Sequence, residues 1–296
     1  MSTDKSHSDN LTPREVGHYF NMNADSIGLI AHDFLNIGSN LFYRGHTSRG
    51  LFIENLNGNI IFISNEQFRG PLTINCPSFT YLSFKANEKV GYVDKGRLIF
   101  TNSQYYFDLN QIPVYSSKDE LLNLLWSSLD PKNVLSKLRN ASASYGKPNE
   151  FADHMLGQQN PFLSGVLSSI AGAITNQDIH VFSDQAIKII GRGQGLTPSG
   201  DDFMMGVLIA DLLSASPIEG LGNELESLTS TRSTKVSANL MHCASLLEID
   251  ERLLDLWKFL IGREQELTSH LITALHWGNS SGLDFYCGLT WRVSII

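Results

Sequence analysis

The sequence predicts an α+β fold, an N-terminal antiparallel β domain followed by a mostly α-helical C-terminal domain. Three observations carry this. Up to about residue 113, β-branched and aromatic runs are separated by glycine turns. From Val114 onward the pattern switches to helix starts and apolar stretches of helical length. The chain has 296 residues, 42% hydrophobic and 18% charged, enough to bury a sizeable core and too apolar to be disordered. The expected organisation is a loose tail over 1–15, a β-rich domain over 16–113 and a helical domain over 114–296.

In chain order, LFIEN-LNG-NIIFIS places Asn57-Gly58 between two strand-like runs, a strong hairpin signal. KVGYV-DKG-RLIFT repeats the device around Asp94 to Gly96. Between them PLTINCPSFTYLSF supplies one or two extended segments broken at Pro77, so the sheet closes as a small barrel or folds on itself. His46 and Arg49 sit in a polar loop, RGHTSRG, where a solvated role is the simplest. Ser117 with Glu120 reads as a capping box, and Asp130-Pro131 as an N-cap with a first-turn proline. NASASYGKPN and PIEGLGNE read as connectors. Around them lie EFADHMLG, PFLSGVLSSIAGAIT and HVFSDQAIKII, and after them a run of helices to the C-terminus.

The most informative stretch is GRGQGLTPSGDDFMMGVLIADLL, residues 191–213. Gly191, Gly193 and Gly195 allow a tight loop over 191–202, Ser199 is a good N-cap, and Asp202 is placed to reach back to it. From Phe203 to Leu213 only Asp211 is charged, so the helix is expected to be buried on most sides. A polar helix start opening into a glycine loop is a ready anion site; a tight loop with a capped core helix is the plain alternative. It is neither a Walker loop, since Gly200-Asp201-Asp202 stands where G-K-[ST] belongs, nor the G-x-G-x-x-G of a dinucleotide fold.

The pattern S-G-x-D-F-x-x-G occurs twice, from Ser199 and from Ser281, 82 residues apart. Each copy has a glycine one turn beyond its aspartate, Gly206 and Gly288. Glycine inside a helix costs about 1 kcal/mol relative to alanine, so matched glycines point to two helices in close backbone contact with their N-termini at one pocket. A third start, Thr229 to Ser237, gathers hydroxyls with Arg232 and Lys235; it suits either an oxyanion or an ordinary exposed cap.

The formal charge of −8 argues against a nucleic-acid surface. Apolar runs stop short of a membrane span, the N-terminus has no signal-peptide core, and Cys76, Cys243 and Cys287 lack metal spacing, which together predict a cytoplasmic protein. No H-x-x-x-H pair, C-x-x-C or G-x-S-x-G elbow occurs, so zinc and serine-hydrolase chemistry are not expected.

The run GxGxGLTPSGDDFMMGVLIA, the helix start at Ser233–Ser237 and the terminal G-x-S-S-G-x-D-F-x-x-G resemble the AllH (YlbF) family. The family is that of a subunit accompanying FdrA-like and AllG-like subunits in bacterial oxamate carbamoyltransferase. The resemblance covers the helical half convincingly and the β half only by general pattern. It implies exchange of a carbamoyl group between oxamate and phosphate in ureide or purine breakdown, with phosphate, carbamoyl phosphate, oxamate or oxalurate as the small anionic ligand. The residues expected to bind it are Gly193, Gly195, Thr197, Ser199, Gly200, Asp202, Ser233, Thr234, Ser280, Ser281 and Asp284. Asp201, less committed to the cap than Asp202, is the expected catalytic residue, taking a carbamoyl N–H or magnesium. Two further readings remain open, a non-catalytic ligand-binding or scaffold protein and a magnesium-dependent hydrolase using Asp201, Asp202 and Asp284.

Overall fold

A computed structural model describes residues 19–36, 40–79, 84–101 and 103–295. The tail expected over 1–15, part of the expected extended run after Pro77 and Ile296 lie outside them. The β half contains β1 (Phe20–Asn21), β2 (Ser26–Gly28), α1 (Leu29–Asn36), β3 (Asn40–Thr47), β4 (Gly50–Asn55) and β5 (Ile60–Ser64). It continues with β6 (Thr73–Asn75), β7 (Lys89–Asp94), β8 (Arg97–Phe100), β9 (Tyr105–Asp108) and β10 (Val114–Tyr115). These strands form one sheet in the order β1-β9-β8-β7-β3-β4-β5-β6-β2-β10. The pairs are antiparallel except β1–β9, β5–β6 and β2–β10, which are parallel.

Both hairpins form where the turn residues place them. The β4–β5 turn carries Gly58 at φ 85°, and the β7–β8 turn has Lys95 at 47° and Gly96 at 75°. Two consecutive positive φ angles match the right-handed twist of the flanking strands. Helix α1 departs from the expected β region: LIAHDFLN is too short an apolar run to separate helix from strand by periodicity. It buries Ile30, Ala31, Phe34 and Leu35 under the sheet.

The helical half runs α2 (Lys118–Leu122), α3 (Pro131–Tyr145), α4 (Glu150–Met155), α5 (Pro161–Thr175), α6 (Ile179–Ala186) and α7 (Ser199–Leu212). After these come α8 (Leu221–Arg232), α9 (Lys235–Ser245), α10 (Glu251–Leu260), α11 (Ser269–Leu275) and α12 (Ser281–Ser294). Asp130 caps α3 with Pro131 in the first turn, as expected. The expected connectors are shorter than read, because α3 runs on to Tyr145 before Gly146 and α8 already starts at Leu221. Ser117 makes no capping bond. Its hydroxyl instead donates to Leu247 O and accepts from Ile249 N, joining α2 to the segment before α10.

Helices α7 and α12 form the centre. Gly200 to Asp211 and Ser281 to Val293 are buried throughout. Each fully buried Leu, Ile, Met or Phe contributes about 1.5–3 kcal/mol, which is why the least charged segments of the chain occupy this position. The two run side by side in the same direction. Near their starts Thr197 Oγ1 and Ser281 Oγ are 2.8 Å apart, and near their ends Arg292 meets Asp211 at 2.9 Å. The matched glycines make this possible. A Cβ on Gly206 would lie 2.1 Å from Phe285 O, and one on Gly288 1.9 Å from Phe203 O. The internal echo is therefore a packing motif, in which each glycine receives the backbone of the other helix.

The hydrophobic core falls into two clusters, one from residues of 27–112 with Cys243, the other from residues of 121–293. Polar contacts join the halves. Lys235 pairs with the buried Glu54 at 2.7 Å, Asn239 Oδ1 accepts from Ile60 N at 3.0 Å, and Arg69 pairs with Glu251 at 2.7 Å. All three cysteines are buried and unpaired. Among the described residues no helix is long and apolar enough to cross a membrane.

Candidate functional site

Between the sheet and the helices lies a cavity of about 300 Å³. The helical side of its wall is Gln194 to Thr197 of the glycine loop, Val236 and Leu240 of α9, Trp277, Gly278 and Ser281. The sheet side includes Arg49, Phe52, Phe62, Glu66 and Phe68, and Asp250 with Arg252 closes one flank. The structure thus brings the sequence-predicted Gly195, Thr197 and Ser281 into one cavity wall. It adds Arg49, which the sequence placed in a polar loop, and Arg252, which no motif marked. His46 is absent from this wall and hydrogen-bonds Tyr43 at the surface.

The loop itself is shaped by positive φ at Gly193, 120°, and Gly195, 101°. Side chains bearing a Cβ rarely adopt these angles, which is why glycines recur here. Its conformation is held from behind by Asp201. That carboxylate, only 1% exposed, accepts from Gly191 N at 2.7 Å, from Ser237 Oγ at 2.6 Å and from Ser233 Oγ. Thr234 caps α9 by accepting from Ser237 N, and its hydroxyl donates to Leu196 O. The polar atoms of Asp201, Ser233 and Thr234, expected at the ligand, are engaged here within the protein and tie the loop to α9. The third predicted helix start is really the end of α8 followed by the α9 cap, and Lys235 is turned to Glu54.

The start of α7 also differs from expectation. Pro198, not Ser199, occupies the cap position and no side chain caps the helix. Gly200 N donates to Arg192 O, and Asp201 N and Asp202 N both reach Pro198 O. These three first-turn donors are engaged within the protein.

Asp202 and Asp284 occupy the echoed positions, each 1% exposed and each with Oδ2 lacking a hydrogen-bond partner. Burial pushes the Asp202 carboxyl well above the ordinary carboxylate range; the Ser281 and Thr197 hydroxyls oppose this, and the neighbouring Asp284 adds to it. Burial likewise raises Asp284 to about 6 against hydrogen bonds from Asn149, Ser280 and Ser199. The Asn149 Nδ2 bond is 2.6 Å long. The opposing effects cross between the helices: Ser281 of α12 acts on Asp202 of α7, and Ser199 of α7, with Ser280, acts on Asp284 of α12. Two positive helix ends lie together here, which favours a carboxylate at each. Of the two carboxyls only Asp202 stands directly behind wall residues of the cavity, Thr197 and Ser281.

Among the described residues no group of three or more His, Cys, Asp or Glu is placed to hold a metal ion. Asp201 accepts from three donors within the protein, and burial pushes Asp202 toward its neutral form.

Arg252 is the best-held cation at the cavity. It is 5% exposed, its Nε and Nη2 grip Asp250 at 2.7 and 2.8 Å, and its guanidinium lies over the rings of Phe68 and Trp277. Burial works against its charge, but Asp250 with Glu66 and Glu251 holds its pKa above the ordinary arginine value. Sequence reading missed it because Asp250, Phe68 and Trp277 come from three separate segments.

No curated protein and no solved structure was found to match the chain. Residues 189–293, which carry the glycine loop and both S-G-x-D-F-x-x-G helices, match the family described as oxamate carbamoyltransferase subunit AllH, and the family resemblance read from the sequence is borne out over that region.

Proposed function

We propose that the chain is a subunit of a carbamoyl-transferring enzyme of the oxamate and carbamoyl phosphate type, working in the cytoplasm with FdrA-like and AllG-like partner subunits. The observation that supports this most is one of overlap. The matched region contains the loop and helix starts whose Gly195, Thr197 and Ser281 wall the cavity. The ligand is a small anion, oxamate, oxalurate, phosphate or carbamoyl phosphate, and the reaction belongs to ureide or purine breakdown.

In this reading a phosphate oxygen attacks the carbamoyl carbon of oxalurate, the bond from that carbon to the oxamate nitrogen breaks, and the nitrogen takes a proton. The products are carbamoyl phosphate and oxamate. Thr197 and Ser281 present hydroxyls that donate to a carbonyl or carboxylate oxygen or accept from an N–H. In this reading Asp202, favoured in its protonated form behind them, passes a proton through Ser281, and Asp201 keeps the loop in shape. Arg49 and Arg252 supply positive charge for the anion.

Mixing the chain with both partner subunits, oxalurate and phosphate should yield carbamoyl phosphate, and omitting the chain should abolish it. Turnover unaffected by its omission would overturn the proposal. Ligand binding without turnover in the full mixture would favour the non-catalytic ligand-binding reading instead.

A further inference from the structure

The cavity is lined far more by rings than a ligand as polar as oxamate needs. Phe52, Phe62, Phe68 and Trp277 all reach it, and all four are left only half-buried by the fold. Phe52 and Phe62 form one wall, their ring centroids 4.4 Å apart. Trp277 and Phe68 lie at the flank where Arg252 rests on both rings, at 5.2 and 4.5 Å. Val236 and Leu240 of α9, also half-buried, complete the apolar surface. Half-buried aromatic side chains facing one hollow are surface that the protein alone leaves wet, and a ligand with an apolar body would remove it from water. A fully polar anion could use the Thr197 and Ser281 hydroxyls and the two arginines but would gain nothing from the rings.

The polar groups sit so as to fix one acidic end. Nη1 of the buried Arg252 has its closest acid, Glu66, at 3.6 Å, beyond a hydrogen bond, and Arg49 Nε stands 3.5 Å from the same residue. Both guanidiniums therefore retain donors at the cavity, while the bidentate grip of Asp250 holds Arg252 in place. A hollow of about 300 Å³ with an apolar body and a few convergent polar groups has the size and make-up of a small-molecule site.

We infer that this cavity takes a ring-bearing carboxylate, its planar body against the Phe52–Phe62 wall and Trp277, its carboxylate on Arg252 and Arg49. The inference rests on the reading above only for the acidic end of the ligand. The ring-sized body is a separate claim, and it identifies either a larger substrate or an effector that shares the cavity.

Benzoate, cyclohexanecarboxylate, oxamate and phosphate, titrated into the full chain by calorimetry, test it. Trp277 fluorescence gives an independent readout, since the other three tryptophans, Trp126, Trp257 and Trp291, are buried away from the cavity. Benzoate is expected to bind at least tenfold tighter than oxamate or phosphate and to change Trp277 emission. V236F, which fills the cavity from a half-buried position of α9, should lose benzoate binding at an unchanged melting temperature, and R252Q should weaken it tenfold or more. Equal affinity for oxamate and benzoate, no benzoate binding, or benzoate binding that survives in V236F each overturns the inference. The oxalurate assay with the partner subunits is read separately. Turnover without benzoate binding removes the ring-bearing ligand and leaves the proposed function, and benzoate binding without turnover does the reverse.

Discussion

Replacing Gly288 by alanine tests the contact on which the helical half is built. The added Cβ would sit 1.9 Å from Phe203 O, 2.9 Å from Phe203 C and 3.0 Å from Val207 N, all backbone atoms that have no rotamer to escape into. Restoring an ordinary carbon–oxygen contact of about 3.3 Å requires the helices to part by more than 1 Å. Overpacking a tight core typically costs about 1–3 kcal/mol and occasionally more, and two facing backbones put this site at the upper end. Alanine returns about 1 kcal/mol through helix propensity, leaving a net loss of about 2–3 kcal/mol. With an unfolding entropy of about 2.1 cal/mol/K per residue, that lowers Tm by about 4 °C for a chain of this length. The assay is a thermal melt followed by circular dichroism, with Gly165→Ala and Gly172→Ala as counterparts. Those two glycines lie in α5 with nothing within 4 Å of an added Cβ, so alanine there should stabilise by up to about 1 kcal/mol each. A Gly288→Ala protein as stable as those two would refute the close-packed reading of α7 and α12.

Three further outcomes follow from the same contacts. Asp201→Ala orphans the Gly191 N–H and the hydroxyls of Ser233 and Ser237, and at about 1–3 kcal/mol for each buried group left unsatisfied it should lose about 3 kcal/mol or more in a denaturant titration, with the 191–202 loop the first segment to exchange its amide hydrogens. Asp284, raised from 3.8 to about 6, holds more protons folded than unfolded between those values, so its contribution is intact below about pH 4 and is lost as pH rises through 6; at about 1.36 kcal/mol per unit this is worth about 3 kcal/mol, and Asp284→Asn should flatten that part of the stability profile. Asp211→Ala leaves Arg292 buried without its partner and should destabilise by about 3–5 kcal/mol in chemical melts, whereas replacing the pair together by apolar residues should cost much less.

The sequence was most legible where local chemistry decides structure. Asn57-Gly58 and the turn ending at Gly96 can adopt positive φ, and both hairpins form there. Gly206 and Gly288 were informative because a mid-helix glycine needs a reason, and the spacing shared with Ser199 and Ser281 named the partner helix. Reading failed where the outcome depends on distant segments. Asp201 is held by the α8–α9 junction, where Ser233 and Ser237 claim its carboxylate, while Asp202 is left behind Thr197 and Ser281, and nothing within the loop signals that. Ser117 looked like a cap, but the segment at Leu247–Ile249 offers its hydroxyl a donor and an acceptor. Arg252, Phe68 and Trp277 become one feature only when the sheet docks on the helices, so no spacing along the chain reveals them.

The central claim is that the cavity edged by the glycine loop and Ser281 holds the ligand of a carbamoyl-transfer reaction. The most direct measurement is a crystal structure of the chain assembled with its partner subunits in the presence of oxalurate. The account predicts ligand density in this cavity, with an oxygen or nitrogen within about 3 Å of the Thr197 or Ser281 hydroxyl. Oxalurate bound wholly within a partner subunit, with this cavity holding only water, would contradict it.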